Sequence, residues 1–264
     1  MGQPFVVTPK IKLKQFDPNF SNGLDKDEIR EETAQLHKRI GELQYLLYSN
    51  ANHAVVVLFQ GMDAAGKDSS VRNLLVHVNP AGVETANFKE PSSEERAHDF
   101  LWRIHKAVPR YGNIGVFNRS HYEEVLVARV NKLVPKEIWQ ARYAQINAFE
   151  KILAQNNVIL LKFFLHLSKE EQAERLRDRL QDPRKNWEFR ASDLDTRAHW
   201  DEYQVAFEDM LNECSTPACR WHVLPADRKW YRDYLVAKRV VEALEDLKMS
   251  WPKPKEDLSK IKIV

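Results

Sequence analysis

Residues 54–67 join an apolar run to a glycine-lysine motif. The segment reads AVVVLFQGMDAAGK, so the apolar run stops at a glycine and Gly-Lys follows four residues later. Gly61, Gly66 and Lys67 have the spacing of a phosphate-binding loop, in which backbone N–H groups converge on an anion and the lysine reaches its outer oxygens. The motif normally continues with Ser or Thr, but here Asp68 follows the lysine. The segment therefore predicts a strand, a phosphate-binding loop and a helix.

Asp63 places a carboxylate inside this loop, where an anion should bind. Like charges at such short range repel, and a cation between them would relieve the repulsion. Carboxylate oxygens are ligands that hard divalent cations accept. Asp63 therefore indicates a metal ion beside the bound phosphate.

A second polar cluster, NRSHYEE at 118–124, follows the apolar segment 114–117. In enzymes with phosphate-binding loops, the corresponding strand end offers an aspartate to the magnesium shell. This chain has Asn118 there, a neutral oxygen ligand. Asp63 and Glu123 are the nearest carboxylates that could replace the aspartate, and they are the predicted metal ligands.

Cations near these loops are candidates for phosphate contacts. The planar guanidinium of Arg119 matches phosphate oxygens and predicts a clamp, the alternative being a surface salt bridge. His121 is a candidate with local hydrogen bonding as an equal alternative. Lys89 and Arg129 are further basic candidates.

A stretch rich in arginine brackets an irregular segment at 181–196. Such a run is usually a solvated surface, which is the alternative here. Phosphate-transferring enzymes, however, place a mobile lid at this point, and its arginines can close over phosphates and exclude water. The stretch therefore predicts a lid over about 175–200. Its basic residues are Arg175, Arg177, Arg179, Arg184, Lys185, Arg190 and Arg197.

Helical and strand patterns alternate along the chain and must position these residues. Alternation of this kind predicts a parallel sheet covered on both faces by helices, with ligands beyond the carboxyl ends of the strands. The predicted strands are 54–60, 83–88, 114–117, 158–167 and 221–224. The predicted helices are 26–48, 69–78, 92–107, 124–130, 135–155, 169–180, 196–212 and 227–249, with capping boxes at Ser92/Glu95 and Ser168/Glu171.

Composition excludes several classes of protein. The chain has 264 residues, 43% of them hydrophobic, which suffices for a substantial core. A net charge of +2 gives no global signal for nucleic acid or membrane binding. Two cysteines, Cys214 and Cys219, make neither a disulfide framework nor a four-ligand zinc site. Without an apolar segment after Met1 or a spanning run, we expect a soluble, cytoplasmic protein.

The chain resembles the polyphosphate kinase 2 family over nearly its whole length after about residue 30. The motifs that carry the resemblance are specific when taken together. They are GMDAAGKD at 61–68, NPAGV at 79–83, FKEPS at 88–92, HDFLWRIH at 98–105, VFNRSHYEEVLVARV at 116–130, LKFFLHLS at 161–168 and PADRKWYR at 225–232.

The resemblance implies a three-layer α/β/α P-loop kinase fold with an arginine-rich helical lid. It also implies reversible, magnesium-dependent phosphoryl transfer from polyphosphate to nucleotides, with Mn²⁺ as the alternative metal. The form NRSHYE at 118–123 is similar to the class III subgroup, which accepts AMP and ADP, with GMP and GDP as further acceptors. Other members have Asp at the position of Asn118 and Asn at that of Glu123. A homo-oligomer, dimer or tetramer, is expected.

Motif and resemblance together assign the expected site residues. The expected catalytic residues are Asp63, Lys67, Arg119 and Glu123, and the metal ligands are Asp63 and Glu123. The expected nucleotide-binding residues are Gly61, Asp63, Asn118, Arg119, Glu123, Arg129 and Arg179. The expected polyphosphate-binding residues are Ala64, Ala65, Gly66, Lys67, Asp68, Ser69, Lys89, Arg119, His121 and Arg184.

We expect three regions: an N-terminal arm and helix at 1–50, a phosphotransferase domain at 51–250 and a tail at 251–264. Three other functions fit parts of the pattern. An ordinary nucleoside monophosphate kinase would use ATP as donor and needs the same loop and lid. A nucleotide-dependent switch lacks support because no Asn-Lys-x-Asp motif occurs. A nucleic-acid binder is disfavoured by the low net charge and by the missing RNA-binding motifs.

Overall fold

The computed structural model describes residues 5–8 and 10–261, so parts of the predicted arm and tail (1–4, 9 and 262–264) lie outside it. Its centre is a six-stranded sheet of order β1-β6-β5-β2-β4-β3. The strands are β1 (Phe5–Val6), β2 (Ala54–Gln60), β3 (Val83–Asn87), β4 (Ile114–Asn118), β5 (Val158–His166) and β6 (Trp221–Pro225). Strands β2 to β6 are parallel, which confirms the predicted sheet.

The short edge strand β1 was not expected. It lies in the segment that the sequence suggested to be an arm, and it pairs antiparallel with β6. A two-residue strand is too short to show an alternation of hydrophobic and polar residues, so the sequence could not predict it. The strand forms because the edge of β6 offers hydrogen-bonding partners to its backbone.

Ten α-helices in the described part of the chain cover both faces of the sheet. They are α1 (Lys26–Asn50), α2 (Lys67–Leu74), α3 (Ser93–Arg96), α4 (Trp102–Ala107), α5 (Val127–Val130), α6 (Lys136–Gln155), α7 (Lys169–Gln181), α8 (Ala191–Ala198), α9 (Trp200–Glu213) and α10 (Lys229–Glu245). Asp25 caps α1 by accepting hydrogen bonds from the backbone N–H groups of Asp27 and Glu28. Helices α1 and α10 pack together on one face, with buried residues such as Ile40, Leu47 and Val240.

Three helical predictions need correction. The predicted helix at 92–107 is two helices, α3 and α4, separated by residues 97–101. Residues 191–196, expected to be irregular, belong to α8, and the predicted helix 196–212 becomes the end of α8 followed by α9. The segment 124–130 contains only the short α5, after a 3-10 turn at His121–Glu124.

The two predicted capping boxes have different outcomes. At α3, Ser92 and Glu95 bond each other's backbone N–H groups, as expected. At α7, the Ser168 hydroxyl caps the helix, but the Glu171 carboxylate binds the Arg175 guanidinium instead.

Strand β2 lies between β4 and β5, and all seven of its residues are buried. Strands buried on both faces consist of apolar runs, which is why this segment shows no alternation. The loop that leaves its carboxyl end therefore starts at the middle of the sheet edge, beside the end of β4. Among the residues that the structure describes, no helix has the length and hydropathy required to cross a bilayer.

Candidate active site

The loop after β2 has the backbone conformation of an anion-binding loop. Gly61 and Gly66 have φ values of 152° and 100°, which side chains disfavour. Ala64 also has a positive φ, 64°, a strained conformation for a residue with a Cβ. The loop ends at the first residue of α2, where the backbone N–H groups of the first helical turn are free to bind an anion.

Lys67 is turned towards its own loop. Its ammonium group donates hydrogen bonds to the carbonyl oxygens of Gly61 (2.9 Å) and Met62 (3.0 Å). Burial and the neighbouring Arg119 guanidinium lower the pKa of Lys67. The lysine is thus a buried cation that two backbone carbonyls of its own loop hold in place.

Strand β4 delivers Arg119 to the same place. The backbone N–H of Arg119 donates to the carbonyl of Phe59 in β2, which ties the two strand ends together. The positive φ of Arg119, 63°, turns the chain sharply at the end of the strand. The side chain therefore points across the sheet edge to the phosphate-binding loop.

Arg119 joins the two carboxylates that the sequence suggested as metal ligands. Its guanidinium lies 2.7 Å from Asp63 and 3.5 Å from Glu123. The nearby Glu123 carboxylate, followed by Asp63 against the effect of burial, raises the pKa of Arg119. Burial alone would raise the pKa of Asp63, but Lys67 and Arg119 outweigh it and lower that pKa. Asp63 is therefore an ionised carboxylate near neutral pH.

A small cavity lies above these residues, with about 40 Å³ of free space. Helices α8 and α9 close it, and they contribute Thr196, Tyr203 and Phe207. Burial, followed by the Glu123 and Asp63 carboxylates, raises the pKa of Tyr203 to about 12, so the phenol keeps its proton. Sequence reasoning missed these residues. Their only signal was the aromatic spacing of Trp200, Tyr203 and Phe207 in α9, which is typical of core packing.

Two carboxylates at one cavity are a donor set that a divalent cation can use when phosphate oxygens and water complete its shell. No group of three or more His, Cys, Asp or Glu side chains within residues 5–8 and 10–261 could hold a metal. Mg²⁺ commonly binds through one or two carboxylates plus phosphate oxygens and water. Asp63 and Glu123 provide two carboxylates on the same cavity.

Asn118 and the start of α2 are also adjacent. The Asn118 amide donates to the Asp68 carboxylate at 2.7 Å. The Ser69 hydroxyl donates to the carbonyl of Gly66 at 2.9 Å. Both contacts place predicted site residues at the mouth of the phosphate-binding loop.

Other predicted contacts are not brought to the cavity. Arg129 pairs with Asp209 at 2.7 Å and stacks on Trp139. Arg184 pairs with Asp182, and its side chain is 89% exposed. The Lys89 side chain is also exposed. For these cations, contact with substrate stays a prediction.

His121 requires a correction, because its side chain is buried. Its Nε2 lies 3.3 Å from the Glu150 carboxylate, which also binds the Lys162 ammonium at 2.6 Å and accepts from the Tyr122 hydroxyl. Burial lowers the pKa of His121. The local hydrogen bonding considered as the alternative is what the structure shows, and the buried imidazole is not presented to the phosphate-binding loop in this conformation.

The arginine-rich stretch is less uniform than expected. Arg179 of α7 pairs with Asp193 of α8 and with Glu188 in the turn between the two helices. Arg175 is not a lid residue, because its buried guanidinium donates to backbone carbonyls, including those of Ala64 and Ala226. Many of the lid cations therefore already have partners in this conformation.

Comparison with known proteins gives consistent matches. The family model described as polyphosphate kinase 2 matches residues 23–252. The chain is 47% identical over 256 residues to an AMP/ADP-polyphosphate phosphotransferase of Meiothermus ruber, with 96% of both chains covered. It is 42% identical to an ADP-polyphosphate phosphotransferase of Rhodopseudomonas palustris, covering 92% of this chain and 93% of that protein.

A solved structure has the same fold. The crystal structure of polyphosphate kinase 2 from Arthrobacter aurescens superposes with a TM-score of 0.95 at 37% identity, covering 98% of this chain and 94% of that one.

Proposed function

This chain belongs to the polyphosphate kinase 2 family, and we propose that it transfers phosphoryl groups reversibly from inorganic polyphosphate to both AMP and ADP, with Mg²⁺ as the metal. Membership of the family makes the chain a polyphosphate-dependent nucleotide phosphotransferase. The range of acceptors, the identity of the metal and the roles of single residues are the parts that we propose here.

One observation carries the assignment of the site. Asp63, Lys67, Arg119 and Glu123 come from the ends of two adjacent parallel strands and meet at one site, with Lys67 on the loop below its cavity. Phosphoryl transfer depends mainly on positioning and charge neutralisation. The two cations can neutralise charge on the phosphate oxygens, and the two carboxylates can position a metal ion and the acceptor.

The reaction needs no strong general base. The nucleophile would be a terminal phosphate oxygen of the nucleotide, and the second pKa of a phosphate monoester is about 6, so this oxygen is largely ionised at neutral pH. The lowered pKa of Asp63 suits a carboxylate that holds a cation and orients the acceptor. Bound Mg²⁺ would supply neutralisation of charge on the phosphate oxygens, held by Asp63 and Glu123.

The donor polymer needs a row of N–H groups and cations. Residues 64–69 and Lys67 provide the first phosphate site, and Arg119 can bind an oxygen of the group in transfer. The cavity is smaller than a nucleotide, so a movement of α8 and α9, which close it, would make room for the acceptor. Their return would exclude water and so favour transfer over hydrolysis.

Acceptance of both AMP and ADP rests on two residues and one relative. Asn118 and Glu123 replace the Asp and Asn of other subgroups, and the Meiothermus ruber relative is named for both acceptors. Glu123 would hold metal or help to admit the shorter nucleotide. A homo-oligomer, dimer or tetramer, is a further proposal, which light scattering of the purified protein tests.

A donor and acceptor matrix tests the proposal. Purified protein is incubated with Mg²⁺ and either polyphosphate or ATP as donor, and with AMP, ADP or GDP as acceptor. We expect phosphorylated AMP and ADP with polyphosphate alone, and none with the Lys67→Ala variant. Transfer to AMP from ATP but not from polyphosphate would instead identify a nucleoside monophosphate kinase.

A further inference from the structure

Three successive carbonyl groups of the phosphate-binding loop are held from outside by buried side chains. The Gln172 amide donates to the carbonyl of Asp63 at 3.0 Å. Arg175 donates to the carbonyls of Ala64 (2.9 Å) and Ala65 (3.2 Å). Arg232 donates to that of Ala65 at 3.1 Å. We call the side chains of Gln172, Arg175 and Arg232 the carbonyl clamp.

We propose that the carbonyl clamp is a set of positioning residues that turns the N–H groups of Ala64 and Gly66 towards the donor phosphates. In a trans peptide group the C=O and the following N–H point in opposite directions. Holding the carbonyls of Asp63 and Ala65 outside therefore sends the N–H groups of Ala64 and Gly66 inside. The intervening Ala65 N–H closes the turn by donating to the carbonyl of Met62.

The charges of the carbonyl clamp are neutralised locally. Arg175 pairs with Glu171 at 2.7 Å, and Arg232 pairs with Asp233 at 2.7 Å. Arg232 is fully buried, and Gln172 is buried too. All three side chains therefore act as rigid hydrogen-bond donors to the loop. The charges of Arg175 and Arg232 are already paired, so these two arginines are not available to bind polyphosphate.

The orientation of Gln172 is fixed from its other side. Its Oε1 accepts a hydrogen bond from Arg197 of α8 at 2.9 Å, which leaves its Nε2 to donate to Asp63. The same amide thus links the loop to a helix that closes the cavity. Arg232 also lies directly against Gly66, where a Cβ would collide with its guanidinium.

The test measures binding of inorganic tripolyphosphate to the full chain, and this inference rests on the proposed function. Binding is measured by calorimetry without acceptor, and amide signals are followed by ¹⁵N NMR. In the unsubstituted protein, the Ala64 and Gly66 amide protons should move downfield as tripolyphosphate binds. Gln172→Leu should weaken tripolyphosphate binding about tenfold, the equivalent of one hydrogen bond, and abolish the Ala64 shift.

A matched control and a second variant separate geometry from charge and from folding. Asn147 also donates an amide hydrogen bond to a carbonyl, that of Glu213, away from the site, and Asn147→Leu should bind tripolyphosphate normally. Arg232→Lys keeps the positive charge but loses the planar fork, so it should bind at least about tenfold more weakly. AMP binding should stay within about twofold in all variants that melt cooperatively. If Arg232→Lys does not fold, Gln172→Leu decides the question.

The outcomes distinguish the two claims. Unchanged tripolyphosphate affinity and amide shifts in Gln172→Leu would overturn the carbonyl clamp while leaving the proposed function intact. Tripolyphosphate binding that depends on the carbonyl clamp, in a protein that transfers nothing to nucleotides, would overturn the proposed function alone. An unsubstituted protein that binds no tripolyphosphate would overturn both.

Discussion

The guanidinium of Arg119 lies 2.7 Å from the carboxylate of Asp63, between the ends of two neighbouring strands. Glu123 binds the same guanidinium from its other side at 3.5 Å. The carboxylates expected to hold metal and the arginine expected to hold phosphate therefore neutralise each other. A phosphate that enters must therefore compete with both carboxylates for Arg119, which favours binding of phosphate and cation together.

Replacing Asp63 by Asn should lower turnover by two to three orders of magnitude. One preorganised charge contact in such a site is worth roughly 3–4 kcal/mol, and the substitution also leaves Arg119 with a single carboxylate partner. Steady-state kinetics with polyphosphate and ADP measure the loss. Glu42→Gln is the matched control, since Glu42 pairs with Arg39 on α1 and does not line the cavity. A loss below about threefold would contradict the role of Asp63 in holding metal.

Glu123→Asn should harm phosphorylation of AMP more than that of ADP. The longer diphosphate places one more charged group near Arg119 and Lys67 and depends less on the lost carboxylate. We expect at least about a tenfold difference between the two effects on kcat/KM, which corresponds to about 1.4 kcal/mol. Rates with the two acceptors, measured at the same polyphosphate and Mg²⁺ concentrations, give this ratio. Equal losses would contradict the assigned acceptor range.

Lys162→Met should destabilise the fold by about 3–5 kcal/mol, because it leaves a buried carboxylate without its cation. The Lys162–Glu150 pair is 2.6 Å long, and both side chains are essentially inaccessible to water. Urea unfolding followed by circular dichroism measures the free energy. Adding Glu150→Gln should recover part of it by removing the orphaned charge. A loss under about 1 kcal/mol would mean that Tyr122 and His121 are sufficient partners for Glu150.

Stability should fall as the pH drops from about 6.5 to 4, partly because of His222. Burial, followed by the Arg239 guanidinium, lowers the pKa of this imidazole from 6.5 to about 4. In that window the unfolded chain binds a proton that the folded protein does not, so acid favours unfolding. The shift corresponds to at most about 3 kcal/mol.

His222→Gln tests this origin of the acid sensitivity. Its free energy of unfolding should change less between pH 6.5 and 4 than that of the unsubstituted protein, measured by urea titration at each pH. His121 and His166 also have lowered pKa values, but they contribute equally to both proteins. Parallel pH profiles would assign the acid sensitivity to groups other than His222.

Much of the fold could be predicted because local pattern and tertiary environment agree. Strand β2 was predicted to its exact bounds, since a fully buried central strand is a continuous apolar run. The boundaries that failed lie where packing decides. The break between α3 and α4 and the start of α8 at Ala191 depend on contacts with the rest of the molecule. Highly charged segments such as 181–196 show too little apolar periodicity for the sequence to predict a helix there.

The site was predictable where chemistry is local to a motif. Gly61, Gly66, Lys67 and Asp63 share one loop, so spacing alone brings them together. His121 and Arg175 were misplaced because a charged side chain does not reveal from sequence whether its partner is substrate or protein. Tyr203 was missed because its neighbours come from distant segments. The domain boundaries, the cytoplasmic location and the substrate contacts of Lys89 and Arg184 stay predictions.

The close approach of Arg232 to Gly66 has a consequence for how this sequence can evolve. A side chain at position 66 would meet the guanidinium of Arg232, and it would also have to adopt a φ of 100°, which residues with a Cβ rarely do. Replacing Arg232, 166 residues further along the chain, would remove only the first of these obstacles, so glycine at position 66 should persist among related genes even where position 232 changes.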